Sequence, residues 1–135
     1  MSALTTLARM ARLRAEALQR ELALLDEQRR ALDTQIVNHD WTVLAEQREA
    51  GSDAMAMFGA YAQAALMRRA QLLIERETAA HAAEILRTTL SDAFIELKKL
   101  ETLIENEGAR ERAEEEARER AELDDVAGAA IARRG

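Results

Sequence analysis

The sequence predicts an all-α fold, an antiparallel two-helix coiled-coil hairpin with an extended C-terminal helix overhang. Three observations carry this. The 135 residues contain no proline and five glycines, so the residue that breaks helices most strongly is missing. Nearly half the chain is nominally hydrophobic while aromatics make up 3%. Much of that apolar content is alanine, a composition of long helices rather than of a three-dimensional core. The apolar residues also recur at alternating intervals of four and three, the spacing of a coiled-coil seam.

Residues 1–49 form the first predicted helix. Its ladder runs Leu4, Ala8, Ala11, Ala15, Leu18, Leu22, Leu25, Arg29, Leu32, Ile36, His39, Val43, and only Arg29 and His39 depart from apolar character. Residues 50–53 follow as a hairpin turn. Gly51 suits a helix C′ position, and Ser52 or Asp53 can cap the next helix.

The second helix is expected to pair over residues 54–100 through Phe58, Ala62, Ala65, Leu72, Ala79, Ala83, Leu86, Leu90, Ala93, Leu97 and Leu100. From Ser52 to Leu123 it is an object of roughly 100 Å at 1.5 Å per residue, too long to be covered by one globular core. In an antiparallel pair the numbers of facing residues add to a constant. The value 101 centres the hairpin between Ala50 and Gly51 and sets Val43 against Phe58, Ile36 against Ala65 and Leu4 against Leu97. It also sets large against small: Leu22 meets Ala79, Leu18 meets Ala83, and Ala15 meets Leu86. Three layers then carry arginine, namely Leu32 with Arg69, Arg29 with Leu72 and Leu25 with Arg76. These guanidiniums should reach out toward Asp33, Glu75 and Asp26. They either specify register at some cost in stability or soften the middle so that it flexes.

Residues 101–125 are an unpaired, charged helical extension by this register. Pairs at i and i+4, such as Arg110 with Glu114 and Glu116 with Arg120, support it by about a few tenths of a kcal/mol each. Ala109, Ala113, Ala117 and Ala121 form a small-residue stripe, and residues 126–135 are expected to fray. The formal charge of -6 is unevenly placed. Ten acids against four arginines fall between Glu105 and Asp125, whereas Arg9, Arg12, Arg14 and Arg20 face only Glu16 at the start. Such asymmetry steers a chain toward charged partners.

Other function classes find little support. Without cysteine there are no disulfides. No apolar run approaches the roughly 18 residues of a membrane span, and Met1 to Arg14 lacks the apolar core of a secretory signal. A soluble cytoplasmic protein is expected. His39 and His81 lie far apart, and His81 has only Glu77 and Glu84 beside it, a poor metal site. No phosphate loop or Ser/His/Asp grouping is present, so neither cofactor nor enzyme activity is expected. The arginines near the start have no interleaved aromatics, and the balance is acidic, which argues against nucleic acid. The remaining apolar feature is Trp41, Met55, Met57, Phe58 and Tyr61 around the bend, read either as a plug that locks it or as a patch for a partner.

Two patches carry a family resemblance. The ending Leu123-Asp124-Asp125-Val126-Ala127, followed by Ala129, Ala130 and Arg133-Arg134, is similar to the Leu/Met-Asp-acidic-x-Ala ending of the FliJ family of flagellar (type III) export proteins. Phe58 and Tyr61 at i and i+3, continuing through Ala65, Arg68 and Leu72, resemble the same family near the start of its second helix. Here Ala65 and Arg68 stand in for other apolar groups, and Glu122 for a basic one. The resemblance implies a non-enzymatic stalk and adaptor of the export apparatus. It would bind the hexameric export ATPase, couple it to the export gate membrane protein, and handle export chaperones. It would sit in the cytoplasm at the periphery of the inner-membrane apparatus, without inserting into the membrane. Leu4, Arg9, Arg12, Arg110, Leu123, Asp124 and Asp125 would face the ATPase. Phe58, Tyr61, Ala65, Arg68 and Leu72 would face the gate. The alternative is a structural coiled coil that self-associates or scaffolds through its C-terminal helix.

Overall fold

A computed structural model describes residues 2–50 and 55–134. The chain is two long helices packed as a hairpin, α1 (Ala3–Glu49) and α2 (Met55–Arg134). Ser2 caps α1, its Oγ accepting the Thr5 amide at 3.2 Å, which satisfies one of the donors a helix N-terminus leaves free. The Ala50 amide closes the last turn on the Glu46 carbonyl at 3.0 Å. The expected capping roles of Gly51, Ser52 and Asp53 lie outside the described residues. α2 runs unbroken through Gly59, Gly108 and Gly128. It continues to Arg134, past the Asp125 boundary at which fraying is expected, and ends on Arg133 and Arg134, cations that suit the negative end of the helix dipole.

The chain folds as two units, each drawing on both helices: Arg14–Asp92, and Met1–Leu13 with Ala93–Gly135. Within each, the seam is the one the ladders specify. Every ladder residue on α1 from Leu4 to Val43, and every one on α2 from Phe58 to Leu100 including Arg69 and Arg76, is buried or half-buried, and Ile104 continues the seam. The core is thin. Its buried members are Ala8, Ala15, Leu32, Ile36, Ala65, Leu72, Ala79, Ala83 and Leu97, and Leu72, 2% exposed, is the largest side chain fully out of water.

The register differs from the value of 101 by one heptad. That value brings Asp33 to Arg69 and Asp26 to Arg76. In the structure each arginine meets the next aspartate of the series instead. Arg69 Nε donates to Asp40 Oδ1 at 2.9 Å, and Arg76 Nε donates to Asp33 Oδ1. Ile36 clusters with Leu32, Leu72 and Ala79, a set without Ala65, and the His39 imidazole donates through Nε2 to the Ala65 carbonyl at 2.9 Å. In the other unit Leu4 adjoins Leu103 and Glu107 rather than Leu97. The displacement is about 10 Å at 1.5 Å per residue. Its physical origin is that an a/d seam slipped by seven residues maps onto itself, so the apolar pattern cannot choose between the two.

The ion pairs choose. Asp26, Asp33 and Asp40 stand at intervals of seven along one edge of α1, and they meet Arg87 (2.8 Å), Arg76 and Arg69 (2.9 Å) respectively. Arg29 adds a looser contact to Asp26 at 3.8 Å. The seam arginines thus reach aspartates at its edge, as a long cation with an apolar stem should. Hydrogen bonding to Arg69 holds the Asp40 carboxyl below its usual range. The same kind of bond, to Asp40 and Asp33, holds the Arg69 and Arg76 guanidiniums above theirs.

Candidate partner-binding surfaces

In the unit built from Met1–Leu13 and Ala93–Gly135, α1 covers α2 as far as Glu107 and Gly108, both half-buried. The sequence places that limit at Leu100. Arg12 donates to Glu101 at 3.1 Å, which anchors this end of α1. Leu4 and Arg110, two residues expected to face one partner, line a single shallow groove with Leu103, Asn106 and Glu107. Arg9 is exposed and is not part of that groove's lining.

From Ala109 to Arg134 every residue of α2 is exposed. Leu123, 67% exposed, Asp124 and Asp125 all lie on this bare helix. Val126 and Ile131 share its exposure. Sequence reading left these two in a fraying tail, although their spacing from Leu123 at i+3 and i+8 already marks a helical stripe. Among the described residues the i, i+4 pairs expected along the extension are not drawn to ion-pair distance. Arg120 Nε instead turns back to the Glu116 carbonyl at 3.4 Å. The carboxylates from Glu111 to Asp125 are therefore free to meet a cationic surface.

The Arg14–Asp92 unit holds the second expected surface, and it divides. Phe58 and Tyr61 lie with ring centroids 6.0 Å apart at a tilt of 36°, within the range of a favourable aromatic pair. Tyr61 is 38% exposed and Arg68 is exposed. Ala65 and Leu72 are buried in the seam, so they set the spacing of the two helices and do not present themselves to a partner. The aromatic part of the expected bend-locking plug is the Phe58–Tyr61 pair, while the Met55 side chain lies outside the described residues. Trp41 is 65% exposed, and with Val37 and Leu44 it forms an apolar stripe at i, i+4 and i+7 on the outside of α1. Met57 is exposed as well. Phe58 also lines a groove with Val43, Leu44, Ala62 and Leu66, whose polar rim is His39, Asp40 and Arg69.

Among the described residues no group of three His, Cys, Asp or Glu could hold a metal, and no helix is long and apolar enough to cross a membrane. The bare end of α2 is acidic and helical, and the surface around Phe58, Tyr61 and Trp41 is aromatic and apolar.

The family model described as flagellar FliJ protein matches residues 1–135, the whole chain. Neither the curated proteins nor the solved structures contain a match to it.

Proposed function

The chain belongs to the FliJ family and is thereby a component of the flagellar export apparatus, and we propose that it serves there as a stalk that inserts its bare α2 end into a ring-shaped export ATPase. The observation that carries this reading is the exposure of every residue from Ala109 to Arg134. A helix that buries nothing in its own chain gains no packing energy there, so its apolar stripe and carboxylates are available to a partner. Its acidic face suits a basic channel, and Leu123, Val126 and Ile131 supply an apolar stripe along it. Leu4, Arg9, Arg12 and Arg110 form the shoulder against the rim of the ring, with Arg12 fixed by Glu101.

The Arg14–Asp92 unit offers Phe58, Tyr61 and Arg68 to the export gate membrane protein, with Ala65 and Leu72 holding the helix beneath them. The neighbouring Trp41 stripe is a second apolar surface of a kind that receives an amphipathic helix from an export chaperone. The role is mechanical and non-enzymatic, exercised in the cytoplasm at the membrane-bound apparatus.

The deciding experiment is stimulation and ring assembly of the cognate ATPase by full-length protein and by a chain ending at Glu107. Stimulation is expected to vanish with the truncation, and Leu123→Ala with Asp124→Asn and Asp125→Asn should reproduce most of that loss. Normal assembly with the truncated chain would overturn the reading. The exposed Leu123, Val126 and Ile131 also favour a second reading, self-association through this helix. Sedimentation across a concentration range separates the two, since a tight dimer would leave no bare helix for a foreign ring.

A further inference from the structure

We propose that the two helices of the Arg14–Asp92 unit possess a second packed register, slipped by one heptad, and that the Asp26, Asp33 and Asp40 series acts as the ratchet that selects between them. Three features of this unit lead to it. The seam is indifferent to a slip of seven residues, because each apolar position meets another apolar stripe of the same phase. The aspartates repeat every seven residues on α1, and Arg69 and Arg76 repeat at the same interval on α2. Each arginine therefore has an aspartate waiting after the slip: Arg69 passes from Asp40 to Asp33, and Arg76 from Asp33 to Asp26.

The slipped state is discrete. Half a heptad of sliding carries Arg76 from Asp33 to Arg29 and Arg30, like charges at close range, and leaves Arg69 beside Ile36 and Val37 with no carboxylate. Sliding seven residues the other way brings Arg76 to Asp40 and Arg87 to Asp33, but it puts the seam arginine Arg69 beside Gln47 with no carboxylate. Only the slip toward Asp33 and Asp26 keeps both seam arginines, Arg69 and Arg76, on aspartates, as a second packed state of a bistable element requires. The observed register holds three rungs, with Arg87 on Asp26 as the third, and the slipped register holds two. The rungs are partly exposed, so one extra rung biases the equilibrium by no more than about fivefold. In the slipped register the large-against-small layers of Leu22 with Ala79 and Leu18 with Ala83 also form.

The absence of cysteine makes the test clean. Ile36→Cys with Leu72→Cys reports the observed register, Ile36→Cys with Ala65→Cys reports the slipped one, and Ile36→Cys with Phe58→Cys matches neither. Under mild oxidation the second pair should cross-link faster than the third. Adding Asp40→Asn and Arg87→Gln removes two rungs from the observed register and none from the slipped one. The second pair should then gain several-fold while the first falls. Cross-linking of the second pair at the control rate in both backgrounds, with helix content intact by circular dichroism, overturns the proposal. Should the seam cysteines unfold the chain, spin labels at the exposed Gln35→Cys and Gln71→Cys decide. Two distance populations that exchange weight on Asp40→Asn support it, and one unchanged population refutes it.

Discussion

Leu72→Ala tests whether the observed seam holds the hairpin together. Leu72 is 2% exposed and clusters with Leu32, Ile36 and Ala79, so the substitution removes three carbons from the best-packed point of the unit. Burial of a leucine side chain contributes about 1.5–3 kcal/mol, and truncation in a globular core costs about 2–5 kcal/mol once the residual cavity is included. Two helices can close on a void more readily than a surrounded core can, which puts the expected loss at about 2–3 kcal/mol, the lower part of that range. Leu24→Ala is the internal control. It changes the same side chain where it is 66% exposed and should cost less than about 0.5 kcal/mol. Urea unfolding followed by far-ultraviolet circular dichroism gives both values. Equal losses for the two variants would refute the assignment of Leu72 to the seam, and with it the register built on Ile36 and Leu72.

Four further outcomes follow from the same geometry. Gly108→Ala should stabilise α2 by about 0.5–1 kcal/mol. An added Cβ meets nothing nearer than the flexible Arg112 guanidinium at 3.6 Å, and a raised melting temperature would register it. Asp40→Asn should narrow its stability deficit as the pH falls. The Asp40 carboxyl is held low by Arg69, so its contribution is full above the unfolded aspartate value of about 3.9 and disappears in more acid solution. Titrating the urea midpoint from neutral pH downward checks the sign. A chain ending at Glu107 should melt within a few degrees of the full chain, because the exposed residues beyond it bury nothing, while losing helical signal in proportion to the residues removed. Tyr61→Ala should weaken gate binding and leave folding nearly intact, given its 38% exposure. A collapse of helix content would restore the bend-locking reading of the aromatic pair.

The seam was legible in the sequence to a degree that the site was not. Alternation of fours and threes identifies which residues of each helix turn inward, and all of them do, Arg29, His39, Arg69 and Arg76 included. Layer identity is a different matter. Periodicity is blind to a whole-heptad slip, and the size matching of Leu22 with Ala79 favours a register the structure does not adopt. The signal that discriminates was present in the charges, in aspartates at 26, 33 and 40 with Arg69, Arg76 and Arg87 opposite. It is legible only when edge residues are read together with the seam. The expected gate stripe mixes the two kinds of position for a similar reason. Phe58 and Tyr61 fall at i and i+3, but Ala65 and Leu72 are ladder residues, so the stripe descends from the surface into the seam.

Separating those roles alters what substitutions there can mean. A change at Ala65 or Leu72 acts on helix spacing first, and any loss of partner binding it causes is inherited from the backbone it displaces. A change at the exposed Arg68 or Tyr61 would act on the proposed contact itself. The same division applies at the other end of α2, where Leu4 and Arg110 share a groove and Arg12 pairs with Glu101, whereas Leu123, Asp124 and Asp125 stand on helix whose every residue is exposed. If binding to a ring depended on the groove alone, removing the bare helix would spare it. If it depended on the bare helix alone, breaking Arg12 from Glu101 would be silent. A shoulder that seats and a stalk that inserts require both to fail, each by its own amount, and a double-mutant cycle between Arg12→Ala and Leu123→Ala should find the two losses additive.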